Sequence, residues 1–317
     1  MGEVHRLIEQ HGRQGALLLD VDRRVLDTAA DYMADEEGGV GFVYSGFAQA
    51  ALPHRRLADD AVWQVQTEHV LLLVEPGRRP VRDGLPLAIG VPYGSRARLV
   101  MLYLMTRAVE TGCREVELGS SMRQWLDRMG IPQGGPSSRG VKEQAERLSR
   151  CRLSFQVTRG GRTGLANQNL VDSALFIDDD HAPARGFSHT LERVKLSETF
   201  WEQLKKHPVP LDEAAIRALQ GHSMALDLYC WLAYRLHVLP PGPRPVSWAA
   251  LKGQFGTGFG RLDHFRPVFT ENLELAKAVY PDALVDVTER GVTMLPSRPP
   301  IAPKVHSIRG RAQGLSR

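Results

Sequence analysis

Seven basic side chains are concentrated between positions 137 and 162 of this 317-residue chain, in the stretch SSRGVKEQAERLSRCRLSFQVTRGGR. They are Arg139, Lys142, Arg147, Arg150, Arg152, Arg159 and Arg162, and they stand against two acidic residues, Glu143 and Glu146. Lysine and arginine neutralise phosphates and release the counterions of DNA, and arginine can also bridge the O6 and N7 atoms of guanine. The segment therefore has the chemistry of a nucleic-acid contact. A charged helix face that only meets water is the open alternative.

The basic stretch has the periodicity of an amphipathic helix. At 100° per residue, Val141, Ala145 and Leu148 share one stripe, which predicts that this stripe packs inward. The charged residues from Arg139 to Arg150 are then expected on the rest of the circumference. Ser137 or Ser138 is expected to cap the helix, at an N-terminus whose backbone N–H groups favour a phosphate.

A defined order of elements surrounds this helix. Residues 95–111 form a helix that is apolar on nearly every side, which predicts burial. A short strand at 114–119, a short helix at 120–130 and the basic helix follow. The alternating runs CRLSFQV and QNLVDSALFI then predict a hairpin whose tip, TRGGRTG, carries Arg159 and Arg162.

The same order returns further along the chain. SMALDLYCWLAYRLHVL is a second apolar helix, RPVSW a short strand, WAALKGQFG a short helix and RLDHFRPVFTENLELAKAVY a long helix, followed by a predicted hairpin in ALVDVTERGVTML. Tyr103 and Tyr229 are 126 residues apart, and so are Met129 and Phe255. One module is therefore predicted to occur twice.

This order of helix, strand, helix, turn, helix and hairpin is typical of a winged helix, whose last helix can enter a major groove. The sequence thus predicts an α+β protein with tandem winged-helix domains and a small N-terminal extension. On the second long helix, Phe265, Phe269, Leu273 and Ala276 are expected to be buried. The candidate DNA contacts of that helix are Arg261, His264, Arg266 and Lys277.

The predicted organisation follows from composition. Residues 1–40 are polar and acidic and are expected to be flexible, and 41–195 form the first winged-helix domain with preceding strands. Residues 196–297 form the second domain, and 298–317 are a basic, disordered tail. Within the first domain, glycine and proline make 77–94 a linker.

Charge and motif content exclude several classes. Residues 1–90 hold 9 basic and 14 acidic residues, so the other 227 hold 31 and 22, and the basic part is the C-terminal two-thirds. Three widely spaced cysteines suit a reducing cytoplasm, and no apolar run of membrane-spanning length occurs. The sequence contains no GxxxxGK[ST], no HExxH and no paired-cysteine motif. We therefore expect a cytoplasmic protein that is not an enzyme and uses neither a metal nor a cofactor.

Longer stretches resemble one known family. They include PYGSRARLVMLYLMTRAV, QAERLSRCRLSF, GRTGLANQNLVDSALF, LSETFWEQLKKHPVPLDEAAIRAL, ALDLYCWLAYRLHVL and PVSWAALKGQFG. Together they are similar to the plasmid-encoded RepA family of replication initiators, over residues 40 to 300.

The resemblance implies a protein that binds repeated duplex sites at a plasmid origin, helps to open the duplex and recruits the host initiator protein and the replicative helicase. It also implies a switch between monomer and homodimer. The matching positions for DNA contact are Ser138, Arg139, Lys142 and Arg147 on the first helix, and Arg261, Arg266 and Lys277 on the second.

Two alternatives stay open at this point. The same fold could serve a transcriptional regulator, for example an autorepressor, without a direct role in replication. A nickase of the plasmid origin is the alternative from another class, although none of the eleven histidines has the spacing of a rolling-circle nickase.

Overall fold

Two helices that are buried over most of their length lie at the centre of the computed structural model. The model describes residues 2–301 apart from 69, 83, 119–123, 125, 128, 133, 160–161 and 179–188. They are α4 (Gly94–Thr111) and α8 (Ser223–Arg235). Residues 99–102 of α4 and 224–233 of α8 are buried without interruption. Because a helical turn takes 3.6 residues, neither helix has a face left for solvent along these stretches. This confirms the prediction drawn from their continuous apolar sequence.

The other elements follow in chain order. The helices are α1 (Glu3–Ala16), α2 (Arg23–Met33), α3 (Ser45–Gln49), α5 (Gly135–Arg150), α6 (Glu198–Lys206), α7 (Glu213–Ala218), α9 (Trp248–Phe255) and α10 (Leu262–Ala278). The strands are β1 (Val40–Tyr44), β2 (Trp63–Gln66), β3 (Val70–Glu75), β4 (Arg78–Arg79), β5 (Leu87–Ala88), β6 (Glu115–Glu117), β7 (Arg152–Arg159), β8 (Arg162–Asn169), β9 (Val171–Asp178), β10 (His189–Leu196), β11 (Pro208–Asp212), β12 (Arg244–Ser247), β13 (Val285–Thr288) and β14 (Gly291–Met294). The chain is therefore of the α+β class, as predicted.

Two of the antiparallel sheets have the same strand order. The first is β6-β10-β9 and the second is β12-β14-β13, so each places its last strand in the middle. The remaining strands form the four-stranded sheet β2-β3-β7-β8 and the pairs β1-β11 and β4-β5. The shared order extends the repeat seen in the sequence from element types to strand pairing.

The prediction of the hairpin after the basic helix was wrong for the second strand. β7 pairs with β8, with Arg159 opposite Arg162, and its other edge pairs with β3. The run VDSALFID forms β9, which pairs with β10 in the other sheet. Leu170 is buried and lies between the last residue of β8 and the first residue of β9, where the chain passes from one sheet to the other. Both runs alternate polar and apolar residues, so periodicity could not tell which strand was the partner.

The N-terminal segment is also different from the prediction. Residues 3–33 form α1 and α2 and are not a flexible extension. Asp22 caps α2 by accepting a hydrogen bond from the N–H of Arg24 at 2.7 Å, and Leu26 and Ala29 are fully buried. Arg24 also lies 3.4 Å from Glu271 of α10. Packing against α10 orders a segment whose composition alone favoured disorder.

The predicted linker is structured as well. Residues 77–94 contain the hairpin of β4 and β5, in which Arg78 pairs with Ala88 and Arg79 with Leu87. The predicted boundary at 195/196 is crossed by the pairing of β1 with β11 and by one hydrophobic cluster that runs from Val43 to Met294. Most of the predicted helix at 120–130 and of the tail at 298–317 lies outside the described residues.

A buried ion pair joins α4 to α8. The Nε and Nη2 atoms of Arg98 donate to the two carboxylate oxygens of Asp227 at 2.7 and 2.6 Å. The same guanidinium donates to the carbonyls of Leu52, Pro53 and Gly94 at 2.6, 3.1 and 2.9 Å. Its hydrogen-bonding capacity is thus used to join three separate parts of the chain.

His54 lies beside this ion pair and stays neutral. Its Nδ1 atom is 3.1 Å from the Oγ of Ser223, at the start of α8, and 3.3 Å from the Arg98 guanidinium. Burial, and then the charge of Arg98, lowers the pKa of His54 to about 3. A second positive charge is therefore kept away from Arg98 at neutral pH.

We expect Asp227→Ala to lower the free energy of unfolding by about 3–5 kcal/mol, because it leaves the Arg98 guanidinium charged and buried without its partner. Urea denaturation measures this loss. Arg107→Ala on the same helix is the matched control, since the Arg107–Glu110 pair is exposed and removing it costs about 0.2–1 kcal/mol. Equal losses in the two variants would contradict the structural role of the buried pair.

Candidate nucleic-acid interface

The N-terminal half of α5 presents the accessible part of the basic stretch. The helix begins at Gly135, with Pro136 in its first turn. Neither Ser137 nor Ser138 is therefore its N-cap, and that prediction was wrong. Ser137 and Ser138 are half-buried, and the N–H of Ser138 already donates to the carbonyl of Gly134 at 3.0 Å. The Ser137 N–H has no acceptor four residues back inside the helix, because the helix begins two residues before it.

Arg139 and Lys142 are the cations that this half of α5 turns outward. Arg139 is exposed and Lys142 is half-buried, whereas Val141 between them is fully buried. Val141, Ala145 and Leu148 all pack into the core, which confirms the predicted inward stripe. The outward side chains of this half can therefore reach a ligand that lies against the helix.

Arg147 is not on the surface, contrary to the prediction. Its side chain is 1% exposed and donates to the carbonyl of Val91 at 3.1 Å and to Glu143 at 2.8 Å. The guanidinium also lies over the Tyr93 ring, 5.1 Å from its centroid. Periodicity placed this residue outside the inward stripe, but a distant part of the chain covers it. Arg147 is a structural residue.

Arg150 also packs against other parts of the chain. It is half-buried, and its Nε atom lies 3.3 Å from Glu146, which itself accepts two hydrogen bonds from Arg79 at 2.7 and 2.5 Å. The backbone of Gly77 passes so close that a Cβ atom there would lie 2.4 Å from the Arg150 carbonyl. The C-terminal half of α5 is thus committed to packing.

The predicted contacts Arg159 and Arg162 lie at the turn of the β7–β8 hairpin. Arg159 and Arg162 face each other as the last registered pair of that hairpin. Their backbones belong to the four-stranded sheet, and their side chains lie outside the described residues.

The start of α10 gathers three of the four candidates on the second helix. Arg261, His264 and Arg266 are all exposed there. Arg261 pairs with Asp263 at 2.6 Å, and the Arg266 guanidinium lies over the Trp248 ring at 5.5 Å. These contacts hold the two arginines at the surface in defined positions.

Lys277 is not part of this group. It lies in the last turn of α10 and pairs with Glu274 at 3.0 Å. Both residues border a cavity of about 340 Å³ that residues of α1 and of the turn before α2 also line. The structure therefore separates Lys277 from Arg261, His264 and Arg266 and places it beside the N-terminal helices. On the same helix, Phe265, Phe269, Leu273 and Ala276 are fully buried, as predicted.

The structure adds a cation that the sequence pattern did not single out. Arg96, in the first turn of α4, passes next to α5, where its Cγ atom would lie 3.9 Å from a Cβ atom at Gly140. Burial lowers the pKa of Arg96, and no described residue pairs with its guanidinium. An anion bound here would offset that desolvation. No spacing rule joins Arg96 to Arg139, because only tertiary packing brings them together.

Two further searches bear on other functions. Among the residues described, no group of three or more His, Cys, Asp or Glu side chains is arranged to hold a metal ion. In the same part of the chain, every helix is too short or too polar to cross a bilayer.

One family model matches part of the chain. The model of the family described as "Plasmid encoded RepA protein" matches residues 91–246, which confirms the resemblance drawn from the sequence. The matched region contains α4, α5 and α8, and therefore includes the first helix of each module. No curated protein sequence matches the chain significantly.

Two solved structures are similar to the chain at low sequence identity. The crystal structure of selenomethionine derivatives of domains 2 and 3 of RctB matches with a TM-score of 0.52 and 10% identity, covering 82% of this chain and 99% of that chain. A second crystal structure of RctB domains 2–3 matches with a TM-score of 0.46 and 11% identity, over 78% of this chain and 94% of the other. The first match shows a common fold.

We expect Arg139→Ala to change the free energy of unfolding by less than about 0.5 kcal/mol, because the side chain is exposed. Arg147→Ala is expected to cost about 3 kcal/mol or more, because Glu143 then loses its buried partner. Thermal and urea unfolding of the two variants measure the difference. If both variants unfolded like the parent protein, the assignment of Arg147 as a structural residue would be wrong.

Proposed function

Because residues 91–246 carry the plasmid-encoded RepA match, we propose that this protein initiates plasmid replication by binding duplex DNA repeats at the plasmid origin. The observation that carries the proposal is this family match together with the accessible cations of α5 and α10. In the proposal, binding helps to open the duplex and recruits the host initiator protein and the replicative helicase. The protein acts in the cytoplasm and can form a homodimer.

Each module is proposed to be a winged helix. The second has the elements of that fold in order, namely α8, β12, α9, α10 and the β13–β14 hairpin. The first has α4, β6, α5 and the β9–β10 hairpin, and its sheet has the same order as that of the second. In this proposal the wing of the first module is β9–β10, and the β7–β8 hairpin is an addition to the fold.

The proposed contacts follow from accessibility. A recognition helix reads base edges with its N-terminal residues, and the N-terminal halves of α5 and α10 are where the exposed cations lie. Ser137, Arg139 and Lys142 are the proposed contacts of α5, and Arg261, His264 and Arg266 are those of α10. In the proposal both helices contact one duplex.

We also propose that the protein acts by binding and not by catalysis, without a metal or a cofactor. Relaxed circles formed from supercoiled origin plasmid with the protein and magnesium would contradict this part of the proposal.

DNA binding is tested with duplexes taken from the region around the gene. We expect tight binding to directly repeated sites and a steep loss of affinity with salt, because each phosphate contact contributes about −0.9 to the slope of log K against log salt. Arg139→Ala and Arg266→Ala are expected to weaken binding while leaving the melting temperature unchanged. Equal affinity for shuffled DNA, or an affinity independent of salt, would argue against the proposal.

The role in replication is tested separately with a minimal replicon. We expect a plasmid that lacks the gene to fail to replicate, and the parent gene supplied in trans to restore it. The Arg139→Ala, Arg266→Ala double variant is expected to restore replication poorly, whereas Arg107→Ala restores it fully. Replication without the gene would instead favour a transcriptional regulator of the same fold.

A further inference from the structure

Residues 77–93, which we term the strap, run along the outer side of α5. Gly77 packs against Arg150, and Arg79 binds Glu146. Val91 accepts from Arg147. At the end of the strap, the N–H of Tyr93 donates to Gln144 at 2.8 Å and its hydroxyl donates to Glu143 at 3.3 Å. The strap therefore follows α5 in the reverse direction, from its last turn back to its middle.

The strap covers the side of α5 that faces away from the core. At 100° per residue, Glu143, Glu146 and Arg150 lie roughly opposite the buried stripe of Val141 and Leu148. A duplex that approached this side of the C-terminal half of α5 would meet the strap before it met Arg147 or Arg150. Any contact with a duplex on this side would therefore be made by residues of the strap.

The outer side of the strap is basic and apolar at once. Arg78 and Arg82 are exposed, and Arg82 makes no ion pair with any residue that the structure describes. Leu85 is 87% exposed and Leu87 is 55% exposed, with the exposed Pro86 between them. The Arg78 guanidinium donates to the Pro86 carbonyl at 3.3 Å and so ties the arginine to the apolar turn. The strap also contains one carboxylate, Asp83, which lies outside the described residues.

This combination matches the chemistry of the minor groove. Proteins that bind there use arginine against the electronegative groove and its phosphates, and they insert a leucine or proline between base pairs, which kinks the duplex. A leucine this exposed has no role in the core of the protein. The strap is pinned to α5 by the Arg79–Glu146 pair, so a DNA-bound α5 would hold it beside the same duplex.

We propose that the strap is a second DNA-contacting element, in which Arg78 and Arg82 bind phosphates and Leu85 enters the minor groove next to the site of α5. The inference rests on the proposed function and adds to it a means of bending the duplex. Duplex DNA is the favoured occupant because the arginines flank the apolar turn and the strap is held against α5, the helix that carries Arg139 and Lys142.

Leu85→Ser tests the apolar contact. On a duplex selected by the parent protein from a random library, with fluorophores at its ends, we expect the variant to reduce the DNA bend by about 20° or more. Leu18→Ser is the matched control, because Leu18 is 88% exposed at the turn after α1 and has no place in the proposed contact. Both variants should melt like the parent protein, since both side chains are exposed.

Arg82→Ala tests the phosphate contact. We expect the slope of log K against log salt to become shallower by about 0.9. Arg23→Ala on α2 is the control, because the Arg23 side chain is 81% exposed and lies on the N-terminal helices.

The outcomes separate the two proposals. If the parent protein selects no duplex, the proposed function fails. If the parent protein binds and bends a duplex and the Leu85 and Arg82 variants do the same, only the strap proposal is overturned. Loss of plasmid replication with unchanged binding and bending would also overturn it and would point to a protein partner.

Discussion

The buried pair of Arg98 and Asp227 is the interaction on which the arrangement of the two modules depends. Each residue lies on the first helix of its module, α4 or α8, within the buried part of that helix. α5 packs on α4, and α10 packs on α8, so the pair joins the two central helices on which the helices with exposed cations rest. An arginine in that position has only one low-energy arrangement, because its other donors are held by the carbonyls of Leu52, Pro53 and Gly94. The spacing between α5 and α10 is thus a property of the folded core and not of a linker.

The periodicity of the sequence predicted the elements whose buried side is set by neighbouring residues. The apolar helices, the inward stripes of α5 and α10 and the hairpin of β13 and β14 were all predictable, because a period of 3.6 or 2 residues reports which side of an element meets the core. The contacts between distant segments were not. β7 pairs with β3 along its second edge, and the polar N-terminal segment packs on α10. Neither contact could be predicted, because no sequence pattern near these residues indicates the distant partner.

The candidate site divides in the same way. Arg139 and Arg147 are two turns apart on one helix and look equivalent in the sequence, yet one is exposed and the other is buried against Tyr93. The difference is made by residues 77–93, which a composition rich in glycine and proline presented as a linker. Counting charges located the helix that carries Arg139 and Lys142 and overestimated its accessible charge. Arg96 shows the converse, since a cation outside the basic stretch reaches the same surface through packing.

The pairing of β1 with β11 connects residues 40–44 to residues 208–212, and α2 packs on α10, which ends at Ala278. Contacts between segments so far apart in the chain close late in folding, because the loop between them must be ordered first. During synthesis, which proceeds from the N-terminus, the first strand and the N-terminal helices must wait for partners that leave the ribosome more than 150 residues later. A chain truncated just before α10 would therefore keep the partner of β1 and leave α2 without its contacts with α10.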